Sequence, residues 1–474
     1  MFIGRKIELE ILTELIQKKT SSLVVCKGRR RIGKSALITQ YGQTQKRFLQ
    51  FQGLSASVGQ TNQHQLDNFA EQLAKQANLP GLTFKTWSEA FASLACVIRT
   101  LRTVVLIDEI SWMGGHDRDF SGRLKIAWDT LFSTKSKLVL VVCGSVSSWI
   151  ETNILRSGDF VGRISATIDL KELSLSECNM FIDPKQQLTA TEKSKILAVT
   201  GGVPRYLEEV NSKKTADQNI KRLCFEPQGF LFREFDKIFN DIFDKRAQKY
   251  RQIVQLLVRA HLSFSQICEH LKIDQSGVMT EYLDDLEQSG FISRDFNHPL
   301  GAAKPSKLSR YRIADNYLRF YLRYIEPERS KISKNTYRDA HLGSLPNWNA
   351  IMGLQVENLI LSNLPDVLSA LKIDPHGVVS AGPYFQTKNS RTKGACQIDL
   401  LIELKRNTAY ICEIKFRSEI NKSVISEVQK KMSLLKKPKN FAIRPILIYD
   451  GELKDEDEIL DYFDIVVSFK TLLK

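Results

Sequence analysis

The segment that most constrains the fold of this chain is residues 28–35, Gly-Arg-Arg-Arg-Ile-Gly-Lys-Ser. It follows a short apolar run at residues 23–26, which predicts a buried strand, and it leads into a segment that predicts a helix. The glycines at both ends allow backbone N–H groups to turn inward without a Cβ clash, and the N-terminus of the following helix adds its positive dipole. This strand, loop and helix pattern predicts a phosphate-binding loop.

Two side chains of the loop match the charges of a triphosphate and its metal ion. We expect the Lys34 ammonium to reach the β- and γ-phosphates and the Ser35 hydroxyl to coordinate Mg²⁺. ATP and Mg²⁺ are therefore the predicted cofactors. The predicted nucleotide-binding residues of the loop are Gly28, Arg29, Arg30, Arg31, Ile32, Gly33, Lys34 and Ser35.

Acidic residues follow a second apolar run. Residues 104–107 predict a buried strand, and Asp108 and Glu109 come directly after it. We expect Asp108 to hold the Mg²⁺ shell and Glu109 to act as the general base on the attacking water. Ser145 closes a third apolar run, at residues 138–143, and we expect it to contact the γ-phosphate. Each acidic residue taken alone could simply lie at a solvated strand end. The phosphate-binding loop, the two acids and Ser145, taken together and in this order, predict ATP hydrolysis.

Length and charge narrow the class of protein. The 474 residues are too many for one hydrophobic core and predict about three or four domains. The net charge of +15 favours a polyanionic partner, of which nucleic acid is the commonest, although a solvated lysine-rich surface is the alternative. Scattered cysteines without a C-x-x-C pair, together with no signal peptide and no membrane-length apolar run, lead us to expect a cytoplasmic protein.

The pattern of apolar residues changes several times along the chain. Apolar strand-like runs covered by helices predict an α/β core, and a helical stretch with one Gly-Gly-Val-Pro break follows it. Three amphipathic helices and a two-stranded hairpin then predict a winged helix. The predicted domains are an ATPase core (1–172), a helical lid (173–241), a winged helix (242–326), a linker (327–348) and a second α/β domain (349–474).

The winged helix presents opposite charges on its two usual DNA-contacting parts. Its third helix, at residues 276–289, carries four acidic residues and no Lys or Arg, so phosphates would repel it. The hairpin that follows is basic and is the better candidate for DNA contact. The alternative is a packing module between the ATPase core and the C-terminal domain. The basic residues of the hairpin region are Lys304, Lys307, Arg310, Arg312, Arg319 and Arg323.

The C-terminal domain carries two acidic side chains and one basic side chain on two predicted apolar strands. If their hairpin is centred near Arg406, Asp399 lies directly opposite Glu413, and Lys415 shares the face of Glu413. Opposed carboxylates are destabilising without a cation, so the group predicts a site for Mg²⁺ or Mn²⁺. Asp399, Glu413 and Lys415 are then the catalytic residues for phosphodiester cleavage. The alternative is ordinary ion pairing of Glu413 with Lys415 or Lys405 on an exposed strand.

Several motifs along the chain together carry a family resemblance. The chain resembles archaeal and bacterial ATPases of the STAND/AAA+ group, in the branch with a winged helix and a C-terminal nuclease-like domain. The matching motifs are Phe-x-Gly-Arg-x-x-Glu-Leu at 2–9, the loop at 28–35, Asp-Glu at 108–109, Gly-Ser at 144–145, Gly-Arg at 162–163, Gly-Gly-Val-Pro-Arg-Tyr at 201–206 and Tyr-Arg-Ile-Ala-Asp-Asn at 311–316.

The resemblance implies roles for two further arginines. In these ATPases the Gly-Gly-x-Pro turn lies in the lid, so Arg205 beside it is implied to sense the phosphate. Arg163 is at the position where such ATPases place an arginine that reaches the γ-phosphate of a neighbouring subunit, which implies homo-oligomers. A local ion pair with a carboxylate is the alternative for Arg163.

The C-terminal pattern resembles the PD-(D/E)XK nuclease fold, which is a restriction-endonuclease-like α/β domain. The resemblance implies that Glu357, on an upstream helix, joins Asp399 and Glu413 at the metal, and that Gln429 lies near the active site. Ile398 precedes the aspartate where the motif's name has proline, as in many members. The predicted metal-binding residues of the whole chain are Ser35, Asp108, Glu357, Asp399 and Glu413.

Two functions remain open from the sequence. The first is an ATP-dependent, metal-dependent nuclease that acts on DNA. The second is a STAND-type ATPase switch or DNA-binding regulator whose C-terminal domain docks without cleaving. The acidic third helix of the winged helix counts against a sequence-specific regulator.

Overall fold

The computed structural model describes residues 2–55, 59–98, 102–145, 148–183, 185, 187–243, 247–337, 341–387 and 394–474. The chain divides into two compact units, Met1–Glu172 and Leu173–Lys474. No helix in these described ranges is both long enough and apolar enough to cross a membrane.

A parallel sheet forms the centre of the first unit, as predicted. Its strand order is β2-β3-β4-β1-β5, and every pairing in it is parallel. Because β4 lies between β1 and β3, the carboxyl ends of these three strands meet at one edge of the sheet. The strands are β1 (Ser22–Gly28), β2 (Arg47–Gln52), β3 (Thr103–Asp108), β4 (Leu138–Ser145) and β5 (Ile164–Leu170).

Helices cover both faces of this sheet. Successive strand residues alternate between two apolar cores, with Val24 and Val104 in one and Val25 and Val105 in the other. This explains why the strands read as continuous apolar runs. The helices are α1 (Lys6–Gln17), α2 (Lys34–Gly42), α3 (Asn62–Ala77), α4 (Trp87–Val97), α5 (Ile110–Gly114), α6 (Phe120–Ala127) and α7 (Ser148–Ile150).

The second unit begins with helices, as the pattern of apolar residues predicted. Capping boxes at Ser174, Thr189 and Thr215 start three of them, because each hydroxyl accepts from the backbone N–H three residues on. The helices are α8 (Leu175–Ile182), α9 (Ala190–Thr200), α10 (Pro204–Leu207), α11 (Ala216–Cys224) and α12 (Phe230–Phe243).

Three helices and an antiparallel hairpin follow, in the order that defines a winged helix. The hairpin pairs Ile292 with Ile313 and Phe296 with Ser309. The elements are α13 (Ala247–Leu257), α14 (Phe264–Leu271), α15 (Gly277–Gln288), β6 (Ile292–Phe296) and β7 (Ser309–Ile313), followed by α16 (Asn316–Phe320).

The segment predicted as a linker differs from that prediction. Helix α17 (Arg329–Ser333) lies within it, and Ile332 and Leu342 are buried in the same apolar core as Leu197 of α9 and Leu283 of α15. Residues 338–340 of the predicted linker lie outside the described residues. A few buried apolar residues are enough to hold a mostly polar segment against the core, and the average composition of the segment does not reveal them.

A mixed sheet with flanking helices completes the unit, as predicted. Its strand order is β12-β11-β10-β9-β8, with β8, β9 and β10 antiparallel and β10, β11 and β12 parallel. The elements are α18 (Trp348–Ser362), α19 (Leu364–Ala370), β8 (Val378–Gln386), β9 (Cys396–Leu404), β10 (Thr408–Ile420), α20 (Ser423–Leu434), β11 (Ala442–Leu453), α21 (Glu456–Tyr462), β12 (Ile465–Ser468) and α22 (Phe469–Leu472).

Candidate functional sites

The loop between β1 and α2 has backbone geometry that requires glycine at both ends. Gly28 has φ 152°, and a Cβ on it would lie 2.6 Å from the carbonyl oxygen of Leu170. Gly33 has φ 93° and directly precedes α2. Residues that carry a side chain rarely adopt such φ values, so these two positions need glycine for the turn from the strand into the helix.

Lys34 and Ser35 begin α2 at the floor of this loop. The Lys34 ammonium is buried and donates to the carbonyl oxygens of Gly28 and Arg29, at 3.1 Å each. Ser35 is half-buried in the first turn of the helix. The Lys34 ammonium therefore binds carbonyl oxygens of its own loop, which are neutral acceptors. The charged oxygens of a phosphate would be stronger partners and can take their place.

The other predicted residues of the loop have local partners. The Arg29 guanidinium lies 3.1 Å from the Glu172 carboxylate, and Arg30 stacks over the ring of Trp112 with 5.8 Å to its centroid. Arg31 has φ 70°, in the left-handed region. Ile32 is buried, and its carbonyl accepts from Arg5.

The two predicted acids lie at the carboxyl end of β3. Asp108 is buried, and one of its carboxylate oxygens accepts from the backbone N–H of Glu109 at 3.0 Å. In the neighbouring ladder Gly28 pairs with Ser145, so the end of β4 is level with the start of the loop. The side chain of Ser145 lies outside the described part of the chain.

Arg163 forms the local ion pair that was the alternative to a role in a neighbouring subunit. Its guanidinium donates two hydrogen bonds to the Asp129 carboxylate, at 2.6 and 2.9 Å. This bidentate contact, with Lys125 at 3.0 Å, lowers the pKa of Asp129 to about 2. The predicted contact across subunits stays a prediction.

Arg205 lies in the second unit, on α10. It forms ion pairs with Glu208 at 2.8 Å and Glu209 at 2.7 Å, and its guanidinium stacks over the ring of Phe230. Its predicted role as a phosphate sensor stays a prediction.

The C-terminal hairpin has the register that the sequence predicted. Leu404 pairs with Thr408 and Leu400 with Cys412, so the next opposed positions are 399 and 413. The loop between the paired Leu404 and Thr408 has three residues, and two of them, Arg406 and Asn407, have positive φ of 68° and 56°. Three-residue loops with a residue in the left-handed region are common connections in hairpins.

Opposed carboxylates and two lysines converge beside this hairpin. The Lys431 ammonium lies 2.6 Å from a carboxylate oxygen of Glu413 and 3.4 Å from one of Asp399. Lys415 lies 2.8 Å from the other oxygen of Glu413 and 2.6 Å from Glu427. The ion pair of Glu413 with Lys415, which was the alternative to a metal site, is thus present, but Glu413 is only 3 % exposed and does not lie on an exposed surface.

Crowding of negative charge shows in the pKa values of this group. Burial, followed by the charge of Glu413, raises the pKa of Asp399. Burial, followed by the charge of Asp399, raises the pKa of Glu357 to about 8. Burial alone would lower the pKa of the Lys431 ammonium, but the two carboxylates outweigh it and raise that pKa. A positive charge at this point therefore relieves the repulsion.

Sequence reasoning missed Lys431 as a member of the site. Lys431 was not among the predicted site residues, and Gln429 was expected near the active site instead. In α20, Glu427 and Lys431 are four residues apart and face the carboxylates, whereas Gln429 is exposed. The helical spacing from the buried Val424 and Val428 is the signal that would have identified Lys431.

Within the described residues, no three Asp, Glu, His or Cys side chains are arranged as ready ligands of one ion. The ammonium of Lys431 lies between Asp399 and Glu413, so a metal would take its place. Carboxylate oxygens are the donors that hard divalent cations prefer, and the metal site stays a prediction.

The wing loop, residues 297–308 between β6 and β7, packs against the C-terminal sheet. Leu300 belongs to the apolar core of that sheet, and the backbone N–H of Gly301 donates to buried Glu403 at 2.9 Å. Arg310 stacks over the ring of Phe385 at 4.5 Å. These contacts are those of a packing module on the C-terminal domain, and the predicted packing against the ATPase core stays a prediction.

The prediction that the basic residues of the hairpin region could contact DNA is wrong for Arg312 and Arg319. Arg312 is buried and pairs with Asp295 at 2.7 Å. Arg319 is buried, donates to Gln355 at 2.9 Å, and has its pKa lowered to about 10 by burial. Neither guanidinium is available to DNA, because partners distant in sequence enclose both. Lys304 and Lys307 are exposed.

Comparison with known proteins gives the class of the first part of the chain. Residues 2–210 match the model of an ATPase domain predominantly from Archaea, and residues 248–294 match the model of a bacterial regulatory protein of the arsR family. The chain thus carries an archaeal-type ATPase domain followed by an ArsR-type winged helix.

Individual similar proteins extend over more of the chain. An uncharacterized protein of Methanocaldococcus jannaschii is 26 % identical over 364 residues, which is 76 % of each chain. A Walker-type ATPase of Pyrococcus abyssi has a TM-score of 0.50 at 16 % identity, covering 68 % of this chain and 96 % of that one. The ORC2 protein of Aeropyrum pernix has a TM-score of 0.42 at 13 % identity, covering 70 % and 94 %. The Pyrococcus structure supports the fold alone.

Proposed function

We propose that this chain hydrolyses ATP at its phosphate-binding loop and cleaves DNA with a metal-dependent nuclease domain at its C-terminus. The ATPase part rests on the matched domain and on the loop with Lys34, Ser35, Asp108 and Glu109 at one edge of the sheet. Ser145, Arg163 and Arg205 are proposed as further nucleotide contacts. Homo-oligomers and a cytoplasmic location stay predictions.

The observation that carries the nuclease part is that one ammonium contacts both Asp399 and Glu413. Lys431 stands where a divalent cation would meet oxygens of both side chains, and Glu357 would supply a third carboxylate. When bound, Mg²⁺ or Mn²⁺ polarises a phosphodiester and lowers the pKa of a water ligand. Lys415, held by its second ion pair, would neutralise the charge that develops on the phosphate oxygens.

A specific observation favours the second candidate, a switch with a docking C-terminal domain. Lys415 and Lys431 already satisfy the carboxylates, so this group is stable as an ion-pair cluster without any metal. The wing loop also packs on the same sheet, as a docking module would.

The two functions are separated by one set of assays. Purified protein is incubated with plasmid, single-stranded DNA and RNA, with Mg²⁺ or Mn²⁺ and with or without ATP, for the wild type, Lys34→Ala and Glu413→Ala. We expect Lys34→Ala to lose ATP hydrolysis, and Glu413→Ala to lose cleavage while it keeps ATP hydrolysis. Glu419→Ala, an exposed acid on the same strand, is the matched control.

Two outcomes would contradict the nuclease proposal. Loss of ATP hydrolysis in Glu413→Ala would argue against separate sites. Absence of cleavage on every substrate, with no metal binding in a Mn²⁺ titration, would favour the switch.

A further inference from the structure

A groove in the winged-helix region has a lining with a strong excess of positive charge. It encloses about 760 Å³ between α13, α14 and the segment after α16. Leu256, Val258, Leu271 and Leu322 contribute apolar wall, which strengthens electrostatic interactions with a ligand. The cationic side chains that line it are Lys249, Arg259, Lys272 and Arg323, with His270 beside them.

The groove cations are not neutralised by neighbouring acids. Glu326 is the acidic residue of the lining, and its carboxylate is already bound to Arg251 and to Gln255. In the part of the chain that the structure describes, Lys249, Arg259 and Lys272 have no carboxylate within ion-pair distance. The groove therefore holds uncompensated positive charge beside a few apolar side chains, which is suited to a polyanion.

The spacing of the lining residues suits a phosphate backbone. Lys249, Gln252, Leu256 and Arg259 recur at three- and four-residue intervals, so they form one stripe along α13 and its end. At about 1.5 Å per residue the stripe is roughly 15 Å long. One strand of a duplex carries a phosphate about every 3.4 Å of axis, so roughly four phosphates match this length.

The other two surfaces of the winged helix are less suited to nucleic acid. The third helix, α15, carries Glu281, Asp284, Asp285 and Glu287 and lacks any basic residue. The wing loop is held against the C-terminal sheet by Leu300 and Gly301. Lys304 and Lys307 of that loop are exposed, but the groove on α13 and α14 brings more cationic side chains together in one lining.

We infer that this groove binds the phosphate backbone of a nucleic acid, away from the third helix and the wing loop. The choice of partner rests on the proposed function, which it deepens by naming where the backbone is held. Gln252 and Gln255 at the rim add amide donors to the cations. Recognition through the backbone predicts binding that is independent of base sequence and strongly dependent on salt.

The test compares two triple variants that lose the same charge. Lys249→Ala, Arg259→Ala and Lys272→Ala are combined in the groove variant. Lys213→Ala, Lys214→Ala and Lys470→Ala, all exposed elsewhere in the second unit, are combined in the control. Affinity for a labelled duplex is measured by fluorescence anisotropy over a range of KCl, in EDTA and without nucleotide.

We expect the groove variant to lose at least about tenfold in affinity and the slope of log K against log salt to fall by about 3, one for each lost phosphate contact. The control should change neither by a comparable amount. Equal affinity and slope in the two triple variants would overturn the inference. If the groove variant fails to fold by circular dichroism, Arg259→Ala and Lys272→Ala are measured singly, and an unchanged slope in both would overturn it.

Further arms identify the polyanion. The same groove-dependent loss with duplex DNA, single-stranded DNA or duplex RNA supports a backbone site and shows which backbone binds best. Groove-dependent binding of labelled polyglutamate, with no groove-dependent binding of any nucleic acid, would overturn the inference in favour of an acidic protein. Because the assay contains neither ATP nor metal, its result is independent of ATP hydrolysis and cleavage.

Discussion

At the scale of single residues, Lys431 decides the state of the C-terminal acidic group. Two carboxylates on opposed strand positions share its ammonium, and each has lost much of its contact with water. Like charges held this close repel unless a cation lies between them. The lysine therefore acts as an internal counter-ion, and any metal at this point has to displace it.

Removal of this counter-ion should destabilise the metal-free protein. We expect Lys431→Ala to lower the free energy of unfolding by about 2 kcal/mol in EDTA, because one partner of a partly buried ion pair is removed and the carboxylates stay behind. Urea unfolding monitored by circular dichroism measures this change. Addition of Mn²⁺ should recover part of the loss.

Lys430→Ala is the matched control, because Lys430 is the exposed neighbour on the same helix. Equal stability of the two variants in EDTA would show that Lys431 does not neutralise the carboxylates.

At the scale of elements, the wing loop is a connection between domains and not a free arm. Leu300 is buried among residues of the C-terminal core, while Leu308 at the other end of the loop is exposed. Asn297 accepts a hydrogen bond from the backbone of Phe385, and Gly301 donates one to Glu403. A loop held in this way is not available for insertion into a DNA groove.

The burial of Leu300 should hold the wing loop in place. We expect Leu300→Ala to cost about 2 kcal/mol, since it removes buried methyl groups and leaves a cavity. Residues 297–308 should then exchange their amide hydrogens faster, as measured by mass spectrometry. Leu308→Ala, in the same loop but exposed, should leave exchange unchanged. Similar exchange rates in both variants would show that the loop is held by other contacts.

At the scale of the whole molecule, the second unit is joined by a buried polar network as well as by its apolar core. The Asn316 amide donates to the backbone oxygen of Ala198 in α9 at 3.2 Å and to that of Gln355 in α18 at 3.1 Å. Gln355 in turn donates to the Asn316 carbonyl and accepts from Arg319. The motif at residues 311–316 thus links α9 to α18, the helix that carries Glu357.

Loss of this link should loosen both helices together. We expect Asn316→Ala to lower the stability of the second unit by about 2–3 kcal/mol, because it leaves buried partners without hydrogen bonds. Hydrogen exchange should rise in α9 and in α18. Asn440→Ala, which changes an exposed asparagine, serves as the control. A rise confined to one helix would contradict the proposed link.

Features that depend on neighbours in the chain were predictable from the sequence. The two glycines and Lys34 follow from a short motif, and the apolar runs at 23–26, 104–107 and 138–143 each lie within an observed strand. The register that opposes Asp399 and Glu413 was predictable because a short loop of three residues centred on Arg406 fixes it.

Features that depend on distant partners were decided by the tertiary structure. Arg163 pairs with Asp129, 34 residues away, and Arg312 and Arg319 are enclosed by residues of α18 and β6. Lys431 reaches the carboxylates across 18 and 32 residues. The sequence determines which local shapes and charges are available, because those depend on steric and periodic rules within a few residues. Which charges meet, and which are buried, is decided only when the elements pack, since a charge stabilises or repels according to distance in space.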